Sequence, residues 1–266
     1  MPLQVCLAGA TGWAGSELAR GIAAAGDLAL ASAVSRSHAG RSLGEALGEA
    51  ALAAPVFATV DEALARPCDV FVEYTRPGVA KANILAALAH GAHVVVGTSG
   101  LGDEDYADID AAARERGRGV LACGNFALTA VLLARFAEMA AKYIPHWEII
   151  DYAYEGKPDA PSGTVRELAG RLGKVRRPRL DVPLEQTVGV RETRGGTLAG
   201  SQVHAVRLPG FVLGVETIFG MPDQTLTIRH SAGASAKPYV DGALLAIRKV
   251  GTLAGLHRGL DAVMEP

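Results

Sequence analysis

The sequence predicts an α/β fold in which a doubly wound parallel-sheet domain is followed by a smaller α+β domain. Three observations carry this expectation. Short apolar runs alternate with amphipathic stretches up to about residue 125, a glycine-rich turn joins the first run to the first helical pattern, and from Ala127 strand patterns follow one another with few helices between them. Strand–helix–strand repeats require right-handed crossovers and therefore a parallel sheet. A succession of strand patterns points instead to an open mixed or antiparallel sheet.

In the first part, strands are expected at Leu3–Ala8, Ala29–Val34, Asp69–Tyr74, His93–Val96 and Gly119–Ala122. Val94-Val95-Val96 is unbroken and apolar, as a strand covered on both faces must be. Helices are expected at Ala14–Ala25, Val79–Ala89 and Asp103–Arg116, where apolar residues recur near the 3.6-residue period. The acidic run Asp103–Asp110 suits the first turns of a solvated helix, where the dipole favours negative charge. In the second part a helix at Leu128–Lys142 leads to a long strand, His146–Tyr154, then a loop, a helix and a basic connector, Lys174–Pro183. Strand patterns follow near Gln186–Glu192, Gln202–Leu208, Phe211–Phe219 and Gln224–His230, and a last helix at Tyr239–Leu253 returns to the first domain. The expected division is therefore 1–126 joined by 237–266, and 127–236.

Composition narrows the function. Lys and Arg total 26 against 28 Asp and Glu, a formal net charge of −2, without the basic excess that nucleic acid or an anionic membrane would require. Glycine is abundant, 32 residues of 266, and aromatics supply only 5%, which favours an enzyme governed by tight turns over an aromatic stacking platform. Cys6, Cys68 and Cys123 cannot build a disulfide framework and read as reduced, buried thiols. Met1-Pro2-Leu3-Gln4 lacks the basic region of a secretory signal, and the apolar run around Ala130–Ala134 is far short of a membrane span. A soluble, cytoplasmic protein is expected. His90 and His93 have no third ligand cluster, so no metal is expected. His204 and His230 fall in strand patterns and read as core, interface or substrate-contact residues.

The chemistry lies in loops. Gly9-Ala10-Thr11-Gly12-Trp13-Ala14-Gly15 follows the first strand at once and opens the first helix. Glycines there allow a sharp turn and close backbone approach to a pyrophosphate, whose charge is met by free N–H groups at the helix start. Trp13 is bulky for this turn and is expected to pack beside the cofactor. The second strand ends Ala33-Val34-Ser35-Arg36-Ser37-His38, with no acidic residue to hold a ribose 2′-hydroxyl. Arg36, helped by Ser35 or Ser37, instead suits a 2′-phosphate, so NADPH is expected in preference to NADH. Thr75 and Arg76, with Gly97, Thr98 and Ser99, occupy further strand ends suited to a nicotinamide ribose and carboxamide. Lys157-Pro158-Asp159-Ala160-Pro161-Ser162-Gly163-Thr164 joins the long strand to a helix. Ser162, Gly163 and Thr164 there present hydroxyls and N–H groups for a carboxylate, with Lys157 adding charge or a proton.

These segments resemble the dihydrodipicolinate reductase family along nearly the whole chain. The matching stretches are Gly9–Gly15, Glu73–Pro77 (Asp-Phe-Thr-x-Pro in the family), Gly97–Gly100, Gly124–Ala127, Lys157–Thr164, Val203–Val206 and Thr227–His230. The resemblance implies an NAD(P)-binding Rossmann domain, a smaller α+β domain for substrate binding and oligomerisation, and a homotetramer. It adds Asn125 and Phe126 to the cofactor residues. The implied reaction is hydride transfer to a small, dicarboxylated cyclic imine or enamine of the lysine/diaminopimelate pathway. One departure is sharp. The family's His-His-x-His-Lys is Ala153-Tyr154-Glu155-Gly156-Lys157 here, so the position of the acid/base histidine holds an alanine. The family's arginine after the stretch matching Thr227–His230 is also missing, leaving Lys237 as the nearest cation. Tyr154 or Lys157 is then the proton donor, or the substrate is an imine that needs less help. A paralogue reducing another imino or oxo acid, and a non-catalytic NADP(H)-binding sensor, stay open.

Overall fold

The computed structural model describes residues 1–265. Its contacts divide it into two compact units, Met1–Leu128 with the chain from Ala236 onward, and Thr129–Ser235.

The first unit is built on β1 (Leu3–Ala8), α1 (Trp13–Ala24), β2 (Leu28–Val34), α2 (Leu43–Leu47), β3 (Val56–Phe57), α3 (Val60–Leu64), β4 (Val70–Glu73), α4 (Pro77–Ala89), β5 (His93–Val96), α5 (Asp103–Glu115) and β6 (Gly119–Ala122). Seven strands form one sheet in the order β12-β6-β5-β4-β1-β2-β3, where β12 is Gly255–Arg258. All its pairings are parallel. Helices cover both faces, which explains why β4 and the Val94–Val96 run of β5 are buried without alternation. In α1 the buried residues Gly15, Leu18, Ala19 and Ile22 make one stripe at helical spacing. After the second unit, α8 (Val240–Lys249) returns to this one, and Arg248 pairs with Asp27 just before β2 at 2.7 Å.

Four elements of this unit escape a reading by periodicity: α2, β3, α3 and β12. All are short. The two helices nonetheless carry a local signal, since Ser42 with Glu45 and Thr59 with Glu62 each form a capping box.

The second unit runs through α6 (Leu128–Tyr143), β7 (His146–Ala153), α7 (Gly163–Val175), β8 (Gly196–Leu198), β9 (Ser201–Arg207), β10 (Leu213–Met221) and β11 (Gln224–Ala232). Its five-stranded sheet has the order β11-β10-β7-β9-β8, with β7 parallel to β9 and the other pairs antiparallel. Along β7 burial alternates, so Trp147, Ile149, Asp151 and Ala153 share the inner face. Trp147 and Ile149 pack with Leu133 and Ala137 of α6 and with Leu168 and Leu172 of α7. Trp147 Nε1 donates to Ser201 Oγ at 2.9 Å, satisfying the one polar atom of that ring.

The strand expected at Gln186–Glu192 is not formed. Short 3-10 turns occupy Leu184–Gln186 and Arg191–Arg194, Gly189 takes φ +99°, and Val188 and Val190 point into solvent. The edge of β9 that such a strand would need is occupied by β8. Gly189, left-handed in the middle of the run, breaks the extended pleat, and the segment stays a loop.

Candidate active site

In the first unit the turn between β1 and α1 is closed by its own glycines. A Cβ at Gly15 would sit 2.1 Å from the Gly9 carbonyl oxygen, and one at Gly9 would sit 2.2 Å from that of Tyr74. Gly12 donates to the Gly9 carbonyl at 2.9 Å and caps α1 in an extended conformation. Ala10 is fully buried, while Trp13, Ala14 and Gly15 form the first turn of α1, where N–H groups have no partner within the helix. Trp13 is largely exposed and meets Tyr239 edge to face, ring centroids 5.9 Å apart.

A cleft of about 540 Å³ opens beside this turn and brings Gly9, Thr11, Gly12, Arg36, Thr75 and Arg76 together. Thr11 and Ser35 share a hydrogen bond of 2.8 Å across it, which ties the end of β2 to the glycine turn. Ser37 turns to His38 Nδ1 at 2.9 Å.

At the ends of β4 and β5, Glu73 is fully buried and organises its neighbours. Its carboxylate accepts from the Thr75 N–H at 2.7 Å, the Thr75 hydroxyl, Asn83 Nδ2 at 2.8 Å and the Thr98 hydroxyl at 3.2 Å. Burial pushes the Glu73 carboxyl up, against the pull of these donors. The hydroxyls of Thr75 and Thr98 therefore face Glu73 and fix the two loops to each other. Ser99 is exposed at the loop tip, and Gly97 covers the Tyr74 ring. After β6, Asn125 Oδ1 accepts from the Ala127 N–H at 2.8 Å, and Phe126 is buried with its ring centroid 5.8 Å from that of Tyr74. Glu73, Tyr74 and Asn83 build this edge; the sequence assigns none of them a role, although Glu73 and Tyr74 fall in the Glu73–Pro77 stretch. An acidic residue closing the apolar run Val70-Phe71-Val72 was the available signal.

In the second unit, the Lys157–Thr164 turn is held from beneath. Asp151, buried on the inner face of β7, accepts from the Ser162 N–H at 2.7 Å. Arg207, the last residue of β9, donates to the same Asp151 oxygen at 2.8 Å and to the Asp159 carbonyl at 2.7 Å. Ser162 is the N-cap of α7, its Oγ accepting from the Val165 N–H at 3.4 Å. The Ser162 N–H and one lone pair of its hydroxyl thus serve the turn itself, while the hydroxyl keeps its own donor. Gly163 and Thr164 form the first turn of α7, the position of unsatisfied helix donors. Lys157 Nζ pairs with Asp159 at 2.5 Å, and that ammonium holds the Asp159 carboxyl below the usual range. Tyr154 is half exposed and Ala153 is fully buried.

Two imidazoles of the second sheet are engaged. His204 Nε2 lies 2.7 Å from Glu148, which also binds Arg194 at 2.6 Å, and His230 Nδ1 lies 2.9 Å from the Thr129 hydroxyl. Among the described residues no group of three or more His, Cys, Asp and Glu is arranged to hold a metal ion, and no helix is long and apolar enough to cross a membrane.

A doubly wound parallel sheet with a glycine turn opening its first helix, joined to a mixed-sheet unit, is the build of a Rossmann-type oxidoreductase. The chain belongs to the dihydrodipicolinate reductase family: models of that family's N-terminus and C-terminus match residues 3–126 and 129–264. The 4-hydroxy-tetrahydrodipicolinate reductase of Desulfitobacterium hafniense is 37% identical over 99% of both chains. That of Thermosynechococcus vestitus is 35% identical over 99% of this chain and 97% of its own. Among solved structures, the dipicolinate-bound dihydrodipicolinate reductase of Paenisporosarcina sp. TG-14 superposes with a TM-score of 0.88 at 27% identity, covering 99% of this chain and 100% of that one. An amine dehydrogenase from Mycobacterium smegmatis, 15% identical with a TM-score of 0.69, shares the fold.

Proposed function

We propose that this chain reduces 4-hydroxy-tetrahydrodipicolinate, or the cyclic dicarboxylated imine or enamine derived from it, with NADPH as the preferred reductant. The observation that carries the reading is the Lys157–Thr164 turn, braced by Asp151 and Arg207 so that the start of α7 is fixed without a ligand's help. A preformed helix start beside a lysine suits a carboxylate, and the Paenisporosarcina relative is a complex with dipicolinate, a planar ring carrying two of them.

The cofactor side fits the same reading. The glycine turn admits no side chain at Gly9 or Gly15 and leaves the first turn of α1 open to a pyrophosphate, while Arg36 at the cleft edge answers a 2′-phosphate. The bound nicotinamide supplies a hydride. The chain's own work is to seat the pyrophosphate on Thr11–Gly15, to hold the substrate carboxylate on Gly163, Thr164 and Lys157, and to deliver a proton as the hydride arrives. With Ala153 where the family places an imidazole, Lys157 Nζ is our proposed donor, with Tyr154 as the second group within the same turn. Met221 of β10 and Leu226 of β11, apolar and exposed, support assembly of this sheet into the homotetramer that the family resemblance implies.

The absent imidazole also favours a second reading, a paralogue acting on a related imino acid. Following NADPH oxidation with enzymatically generated 4-hydroxy-tetrahydrodipicolinate and with a panel of cyclic imino and oxo acids separates the two. Turnover of the first substrate at rates typical of biosynthetic enzymes supports the main reading. Turnover only of another acid replaces it.

A further inference from the structure

Tyr74 follows β4 at the carboxyl edge of the parallel sheet, where β5 and β6 also end. Its ring lies against Gly97 so closely that a Cβ there would be 2.0 Å from Tyr74 Cε1. Phe126 tilts against the ring, and the phenol Oη is buried without a hydrogen-bond partner among the described residues. Burial pushes its pKa well above the usual phenol range, with Cys123 and Tyr239 adding to the rise, so the group is a neutral hydroxyl that can donate and accept. A buried hydroxyl left unpaired weakens the fold, and phenylalanine would fill the same space without that cost.

Tyr74 also borders the cleft lined by Gly9, Thr11 and Arg36. In a doubly wound sheet a dinucleotide lies across the point where strand order reverses, here between β1 and β4, with one half on either side. Arg36 follows β2 and belongs to the adenosine side. Tyr74, Gly97 and Phe126 follow β4, β5 and β6 and belong to the other. We infer that the Tyr74 hydroxyl hydrogen-bonds the carboxamide of the cofactor's nicotinamide, and so completes a contact that the protein alone leaves unmade. This rests on the proposed use of a nicotinamide dinucleotide.

The test compares the unaltered protein with Tyr74→Phe, using two probes, NADPH and 2′-phospho-ADP-ribose, which lacks the nicotinamide. Calorimetry should show the Kd for NADPH rising about 3- to 10-fold in the variant, as expected for one lost hydrogen bond, with the Kd for 2′-phospho-ADP-ribose unchanged. The melting temperature of the ligand-free variant should be equal or higher, while the rise produced by saturating NADPH should be smaller. Equal NADPH affinity in the two proteins, equal weakening of both probes, or a lower ligand-free melting temperature would each overturn the inference. If the unaltered protein binds no NADPH, the cofactor reading falls as well. Intact NADPH binding with no change in Tyr74→Phe removes this inference alone.

Discussion

Arg207 Nη2 lies 2.8 Å from Asp151 Oδ2, joining the last residue of β9 to a carboxylate that is 1% exposed. The same guanidinium donates to the Asp159 carbonyl, and the same carboxylate accepts the Ser162 N–H, so one ion pair ties two strands to the Lys157–Thr164 turn. Arg207 acts on the turn through Asp151 and is a positioning residue.

Removing it exposes the cost of the buried charge. Arg207→Met leaves Asp151 with the Ser162 N–H as its remaining donor among the bonds described above, and breaking such a pair costs about 3–5 kcal/mol. Calorimetric unfolding should show a melting temperature lower by on the order of 10 °C, and KM for the dicarboxylate should rise more than kcat falls. A variant with unchanged Tm would mean that the pair does not brace the turn.

Arg36 should decide between the two nicotinamide cofactors. Charge-assisted hydrogen bonds contribute about 1.5–3 kcal/mol, so Arg36→Ala should weaken NADPH by about 10- to 100-fold and leave NADH nearly unaffected. Titration with both cofactors measures this directly. Equal losses for the two would assign Arg36 to the pyrophosphate or adenine and not to the 2′-phosphate.

Proton delivery separates Lys157 from Tyr154. General acid assistance contributes about 10²–10⁴ in rate. Lys157→Met should lower kcat on that scale and raise KM, with NADPH affinity intact. Tyr154, half exposed, should tolerate Tyr154→Phe with a loss under about tenfold. The reverse ranking would transfer the acid role to the phenol.

Acid should loosen the parallel sheet through His93. Its Nδ1 accepts the Gly119 N–H at 2.9 Å, which binds β5 to the start of β6 and requires the neutral ring. Burial, with Arg118 beside it, lowers its pKa. A depressed folded-state pKa contributes stability that is fully present above the unfolded value, about 6.5, and is lost as pH falls through the folded one. His230, also lowered by burial, acts in the same window. Melting temperature should therefore fall as pH drops below about 6.5, and His93→Asn, which keeps an acceptor but cannot titrate, should flatten that fall. An unchanged slope would show that His93 is not coupled to folding.

The order of elements was written locally. Val94–Val96 is a strand in any compact structure because nothing in it tolerates water, and Gly9–Gly15 can be a tight strand-to-helix turn because its first and last residues lack side chains. Such features depend on residues close in the chain, so the sequence alone determined the parallel domain, the glycine turn and the Lys157–Thr164 turn. It also determined that residue 153 is an alanine, an identity that no fold can alter. What it left undecided depends on pairing at a distance. Gln186–Glu192 has a strand's composition, but Gly189 turns left-handed in its middle and β8 takes the place beside β9. Ser162 has a hydroxyl suited to a ligand, but its N–H goes to Asp151, 11 residues earlier, and the hydroxyl oxygen also accepts from its own helix. Thr98 turns to Glu73 across 25 residues, and Arg207 reaches Asp151 across 56. Only the tertiary structure decided which polar groups are spent on holding the site and which, like the Tyr74 hydroxyl, are left for a ligand, because a hydrogen bond is settled by distance in space and not by separation along the chain.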